Sequence, residues 1–206
     1  MDMKVCFLLF AGGKSTRFGS DKTMLRTGNG LIVESIINKA KESGLFSEYI
    51  IASNPFRTAG REEMYCLPGC RELEDTCYGL GPIGGLAACL ERCRSETVLS
   101  WACDMPFFSS SACRTLLDSF RDHTENDPLC NAVYAENGGL PEPLFGVLDV
   151  RAAVPKVNEL IHSGVNRYMA VYSGLNAKPV PFDAENLFFN INYQKDYERL
   201  MTLLGS

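Results

Sequence analysis

The chain has 206 residues, of which 46% are hydrophobic and 22% charged, with a formal net charge of −5. That length can bury a core of ordinary size, and the composition excludes a disordered chain. The acidic balance argues against a nucleic-acid-coating protein, and no stretch approaches the ~20 apolar residues of a membrane span.

Val5 to Phe10 is an unbroken apolar run, as expected for a strand covered on both faces. The start "MDMKVCFLLFAGGK" has the outline of a secretory leader. However, its apolar run is about seven residues and leads directly into Gly-Gly-Lys-Ser-Thr-Arg, so a buried parallel strand fits better. After the glycine loop, Val33, Ile36, Ile37 and Ala40 share one face at helical spacing, and Gly44 offers a stop. "EYIIASN" predicts a second strand and "CRELEDT" a weaker third. "GPIGGLAACLERCRSE" predicts a helix with Ile83, Leu86, Ala87 and Leu90 on one stripe.

"TVLSWACDMPFF" is the next buried strand, running into Asp104 and Pro106. Ser109 to Ser111 can cap a helix carrying Cys113, Leu116, Leu117 and Phe120. "NAVYAEN" and "PLFGVL" are expected to be strands separated by a Gly-Gly-Leu-Pro loop. Val154, Val157, Leu160 and Ile161 mark another helix, and "NRYMAVYSGL" a short one. Asn190 and Asn192 are expected to alternate along a strand, followed by a helix with Tyr197, Leu200, Met201 and Leu204 at helical spacing.

Strand, loop and helix alternate, which predicts an α/β fold with a mostly parallel sheet, formed by residues 1–206 as a single domain. Ligands of such sheets bind beyond the carboxyl ends of the strands. The polar residues to inspect therefore follow Phe10, Ile51, Leu73, Trp101 and Ile191.

Nine cysteines is an odd count without the spacing of a disulfide framework. Cys66/Cys70 and Cys89/Cys93 are spaced by four residues, but a zinc or iron–sulfur site needs further partners, and His123 and His162 are the two histidines. The cysteines are expected to be small buried hydrophobes in a reducing cytoplasm.

"FAGGKSTRFGSDK", residues 10–22, invites comparison with a P-loop. The P-loop pattern G-x-x-x-x-G-K-[ST] requires a glycine where this chain has Leu8, so the match fails. What stands instead is Ala11-Gly12-Gly13 after a buried strand, then Arg17, Gly19, Asp21 and Lys22. Residues without bulky side chains let backbone N–H groups approach phosphates. Arg17 can grip a phosphate with a fork of donors, and Lys22 acts as a point charge. This set suits a triphosphate whose α-phosphorus is attacked and whose pyrophosphate leaves.

"LLFAGGKSTRFGSDK" resembles L-A-G-G-x-S-x-R-M-G-x-D-K, the signature of the molybdenum cofactor guanylyltransferase (MobA) family. "LEDTCYGLGPIGGL" resembles the family's E-D-x…G-P-L-x-G-[IL], and "SWACDMPFF" its C-D-x-P-[FY]. "PEPLFGVL" and "FFNINYQKDYERL" resemble its later P-L-x-A-[LV] and F-x-N-[IV]-N-T-P-E-[ED] blocks. The ordered matches run from the first strand to the last helix. Departures are Phe10 for leucine, Phe18 for methionine, and Tyr193-Gln194-Lys195 for Thr-Pro-Glu at the start of the last helix.

The resemblance implies a Rossmann-like three-layer sandwich of the nucleotide-diphospho-sugar transferase type. It implies transfer of GMP from GTP to the phosphate of molybdopterin in its molybdenum-bound form, with Mg²⁺ as cofactor. Partners would be GTP, molybdopterin, and molybdoenzymes or their chaperones. Cytidylyl transfer to molybdopterin or another phosphorylated small molecule is the alternative; the Ala11-Gly12-Gly13 and Asp21-Lys22 pairings favour guanylyl transfer.

By the same resemblance Arg17, Lys22 and Asp104 are catalytic, with Asp104 the metal ligand. Phe10, Ala11, Gly12, Gly13, Lys22, Asn54, Asp75 and Asp104 would contact the nucleotide. Guanine presents N1–H and N2–H donors beside O6, so an amide and a carboxylate are suitable readers. Which of Asn54 and Asp75 meets the base and which the ribose stays open. Gly81, Gly84, Asn190 and Asn192 are assigned to the acceptor, although close helix–sheet packing also explains glycines at a helix start.

Overall fold

The computed structural model describes residues 3–11, 24–28, 30–53, 67–75, 77, 79–184 and 186–205. In chain order the elements are β1 (Val5–Ala11), β2 (Arg26–Thr27), β3 (Gly30–Leu31), α1 (Ile32–Glu42), β4 (Glu48–Ser53) and β5 (Arg71–Glu74). They continue with α2 (Pro82–Arg92), β6 (Thr97–Ala102), α3 (Ser110–Asn126), β7 (Ala132–Asn137) and β8 (Leu140–Asp149). The last are α4 (Val150–His162), α5 (Met169–Gly174), β9 (Lys178–Phe182) and α6 (Gln194–Gly205).

Seven strands form one sheet in the order β5-β4-β1-β6-β8-β7-β9, and β2 and β3 form a separate two-stranded ribbon. β5, β4, β1 and β6 run parallel; β8 is antiparallel to β6 and β7, and β9 returns parallel to β7. The fold is α/β with a mostly parallel sheet, as the alternation of strands and helices predicts.

β1 shows why its sequence is an unbroken apolar run. Val5, Phe7, Leu9 and Ala11 enter the core beneath α1, α3 and α6, while Cys6, Leu8 and Phe10 enter the opposite core beneath α2, α4 and α5. Period-two alternation therefore buries all seven side chains, giving three layers. Leu8 is fully buried in mid-strand, paired with Ile50 and Ser100, so no phosphate loop begins there.

The helices follow their apolar stripes. Val33, Ile36, Ile37 and Ala40 of α1 are fully buried, and Gly44 follows its end with φ +65°. Ile83, Leu86, Ala87 and Leu90 of α2 are buried. Ser109 caps α3, its Oγ accepting the Ala112 N–H at 3.2 Å. Cys6, Cys89, Cys113 and Cys130 lie in the interior, and all eight described cysteines are free; Cys66 lies outside the described residues.

Three expectations need correction, and one strand has no counterpart among them. The expected Gly-Gly-Leu-Pro loop is only a two-residue turn, because Gly138 and Gly139 both take positive φ (57° and 81°) and close the hairpin, leaving Leu140 and Pro141 paired in β8. β9 contains Pro179 and Pro181, and the sequence pattern does not predict it as a strand. Asn190 and Asn192 do not lie on a strand: residues 190–192 form an irregular segment entering α6. Val154 is 37% exposed, because α4 begins at Val150 and turns Ala153, Val157 and Leu160 inward.

Candidate active site

The carboxyl ends of β1, β4, β5 and β6 lie along one edge, and hydrogen bonds between the strand ends hold it together. The Cys103 N–H donates to the Phe10 carbonyl at 3.0 Å, tying the end of β6 to β1. The Asp75 N–H donates to the Ser53 carbonyl at 3.0 Å, tying the residue after β5 to β4.

Asp104 stands two residues beyond β6, half-buried, on a turn fixed from several sides. The Met105 N–H donates to the Ala102 carbonyl at 3.1 Å, and the buried Trp101 indole N–H donates to the Met105 carbonyl at 2.9 Å. The Trp101 ring packs edge-on against Phe145, with centroids 4.5 Å apart. A strand residue thus anchors the turn that follows it.

The Asp104 carbonyl accepts the Ile191 N–H at 2.9 Å. This bond brings Asn190 and Asn192 to the same edge although no strand carries them there. Asn190 Nδ2 donates to the Phe188 carbonyl at 3.1 Å, a local turn contact. The N–H groups of Asn192 and Tyr193 donate to Asp196 Oδ2 at 2.9 and 2.8 Å, so Asp196 satisfies the start of α6.

Asp75 is half-buried, and its Oδ1 accepts the Cys77 N–H at 2.8 Å. Burial pushes its carboxyl above the ordinary range, opposed by that N–H bond. Gly81 caps α2 with φ 59° and ψ −140°, a conformation that only glycine adopts readily, and Pro82 opens the helix. Phe10 and Ala11 are both buried. The Phe10 ring faces Tyr168 edge-on at 5.7 Å, so its side chain belongs to the core and its backbone to the edge. Gly12, Gly13, Arg17, Lys22 and Asn54 lie outside the described residues.

Glu142 of β8 is a carboxylate that motif reading passes over. Burial, and then the charge of Asp104, push it above the usual carboxylate range. The signal is present in "PEPLFGVL", but Glu142 reaches the edge through the irregularity that skips from the Gly146–Tyr134 pair to the Glu142–Ala135 pair. Among the described residues no three His, Cys, Asp or Glu side chains form a metal cage. Hard carboxylate oxygens fit a divalent ion whose other ligands are water and substrate phosphate. A cavity of about 400 Å³ lies between the start of α3 and the chain at and after the end of β9, lined by Phe107, Ser109, Ser111, Thr115, Phe182 and Asn186 among others, and none of the candidate site residues lines it.

Residues 7–177 match the family model of the MobA-like NTP transferase domain. The chain belongs to the MobA-like NTP transferase family. It is an enzyme of nucleotidyl transfer. A probable molybdenum cofactor guanylyltransferase of Carboxydothermus hydrogenoformans is 25% identical over 204 residues, covering 96% of this chain and 95% of that one. Among solved structures, molybdopterin-guanine dinucleotide biosynthesis protein A of Archaeoglobus fulgidus has a TM-score of 0.72 at 22% identity, covering 97% and 98% of the two chains. The 2-C-methyl-D-erythritol 4-phosphate cytidylyltransferase of Thermus thermophilus has a TM-score of 0.68 at 15% identity, with both chains fully covered. The MobA-like fold thus also occurs in a cytidylyltransferase, so the fold alone does not select the base. The MobA-like model stops before β9 and α6, so Asn190 and Asn192 fall beyond it.

Proposed function

We propose that this chain transfers GMP from GTP to the terminal phosphate of molybdopterin in its molybdenum-bound form, giving molybdopterin guanine dinucleotide and pyrophosphate. The observation that carries this reading is near-full-length similarity to proteins named molybdenum cofactor guanylyltransferases, over a chain that keeps Asp75 and Asp104 on one sheet edge. The reaction forms a bond from an acceptor phosphate oxygen to the α-phosphorus and breaks the bond to the β-phosphate, whose oxygen leaves with the electron pair. The acceptor oxygen is already anionic, so no general base is needed.

Asp104 would hold Mg²⁺, which when bound neutralises charge on the triphosphate. Gly12 and Gly13, following Phe10 and Ala11, would offer backbone N–H groups to the phosphates. Arg17 and Lys22 would steady the departing pyrophosphate. Asn54 and Asp75 would hold the nucleoside, and Gly81, Gly84, Asn190 and Asn192 the acceptor. Catalysis then comes from in-line positioning and charge neutralisation. The 206 residues act as one catalytic unit, in the cytoplasm, passing product to molybdoenzymes or their chaperones.

Thermal stability with GTP, ATP, CTP and UTP, each with and without Mg²⁺, tests the nucleotide half of this reading. A ligand at about 100 times its Kd adds ~2.7 kcal/mol, a rise of roughly 5–10 °C for a chain of this size. GTP is expected to stabilise most, and more strongly with Mg²⁺. Preferential stabilisation by CTP would move the activity to cytidylyl transfer.

A further inference from the structure

The sheet order divides the edge that carries Asp104 into two halves. β5, β4 and β1 lie on one side of β6, and β8, β7 and β9 on the other. The residues assigned to the nucleotide follow β1, β4, β5 and β6, which leaves the β8–β9 half for the acceptor. β7 runs parallel to β6, because both are antiparallel to β8, and β9 runs parallel to β7. Phe182, the last residue of β9, therefore reaches the same edge as Asp104.

The cavity of about 400 Å³ lies on that half, a volume that suits a small-molecule site. Two aromatic side chains, Phe107 and Phe182, line it together with the polar side chains of Ser109, Ser111, Thr115 and Asn186. Among the described residues no charged side chain lines it, which suits a neutral ring and not a triphosphate. Phe107 stands three residues beyond Asp104, so the chain keeps their Cα atoms within about 11 Å. The Phe107 ring packs edge-on against Phe189, with centroids 5.8 Å apart, and Phe189 precedes Asn190. The cavity is thus continuous with the segment that the Ile191–Asp104 bond holds at the edge.

We infer that this cavity takes the fused heterocycle of the acceptor: a pterin ring lies against Phe107 and Phe182 while its phosphate reaches Asp104. This rests on the proposed transfer to molybdopterin. A pterin is flat, and flat heterocycles bind aromatic side chains by stacking. Its pyrimidinone edge presents an amino group and a ring N–H beside a carbonyl, as guanine does. The Asn186 side-chain amide makes no hydrogen bond among the described residues, so it has both an acceptor and donors for that edge. The Ser109 and Ser111 hydroxyls lie 2.9 Å apart; one hydrogen serves that contact, and the other is left to donate. α2 packs on the β5–β4–β1 side, so Gly81 and Gly84 would meet the phosphate end of the acceptor.

Two variants test the cavity. Phe182→Leu keeps an apolar side chain and removes the stacking face. Thr115→Trp fills the cavity from an exposed position of α3, where the fold tolerates it. Equilibrium dialysis of molybdopterin without nucleotide, and steady-state kinetics with Mg²⁺ and GTP, compare both with wild type. Phe182→Leu is expected to weaken molybdopterin about tenfold in Kd and KM, as for loss of one stacked aromatic. Thr115→Trp should weaken it at least as much. In both, the KM for GTP should stay within about twofold.

A wild type that guanylylates molybdopterin beside a Thr115→Trp variant of unaltered molybdopterin Kd would overturn the inference and keep the guanylyl reading. An equal rise in the KM for GTP would also overturn it, because the cavity would then not be particular to the acceptor. A wild type that binds molybdopterin, with both variants weakened, but transfers no GMP would overturn that reading and support the cavity as a pterin site.

Discussion

At Asp104, side chain and backbone have separable tasks. The carbonyl holds the segment before α6 through Ile191, while the charge of the carboxylate bears on Glu142. Asp104→Ala keeps the carbonyl, so it should cost about 1 kcal/mol of stability or less while lowering kcat by about 10²-fold or more. Denaturant titration beside steady-state kinetics checks this; a variant that loses stability and turnover in proportion would contradict it. Asp75 carries a pH signature. Its folded carboxyl titrates above its unfolded value, so the folded state holds the proton more tightly, and stability is lost as pH rises through the folded pKa. Asp75→Asn should therefore be relatively more stable than wild type as pH rises from about 3 to 7, with weaker nucleotide binding. A Tm difference that does not change over that range would count against the burial of this carboxylate.

At the scale of elements, β9 shows what periodicity conceals. Pro179 and Pro181 demote "KPVPF" as a strand by propensity, yet Val180 is buried between them and the strand pairs with β7. Residues two apart present their backbone nitrogens on the same side, and proline cannot donate to a ladder, so both prolines belong on the outward side. They blunt the exposed edge of the sheet. Replacing both by valine should produce concentration-dependent association in light scattering, and a variant that stays monodisperse would contradict this role. The elements legible in the sequence, β1, α1, α2 and β6, are those whose apolar residues are decided by one or two covering layers. The illegible ones are set by partners distant in sequence: the β7–β8 irregularity that carries Glu142, and the Ile191 bond to Asp104 that takes the place of the expected strand.

At the scale of the whole molecule, parallel strands put their ends on one edge, and this makes the place of Asp75 and Asp104 on that edge legible from position alone. Three-layer burial explains why an acidic chain with many cysteines can place thiols on both sides of its sheet as ordinary core. The fold is shared with a cytidylyltransferase, so topology does not select the base. The most direct test of guanylyl transfer is to incubate the protein with Mg²⁺, molybdenum-bound molybdopterin and GTP or CTP labelled at the α-phosphate. Label should move from GTP to the pterin with one pyrophosphate released per transfer, and CTP should be a poor donor. Transfer from CTP in preference to GTP, or pyrophosphate release without label on the pterin, would contradict guanylyl transfer to the pterin.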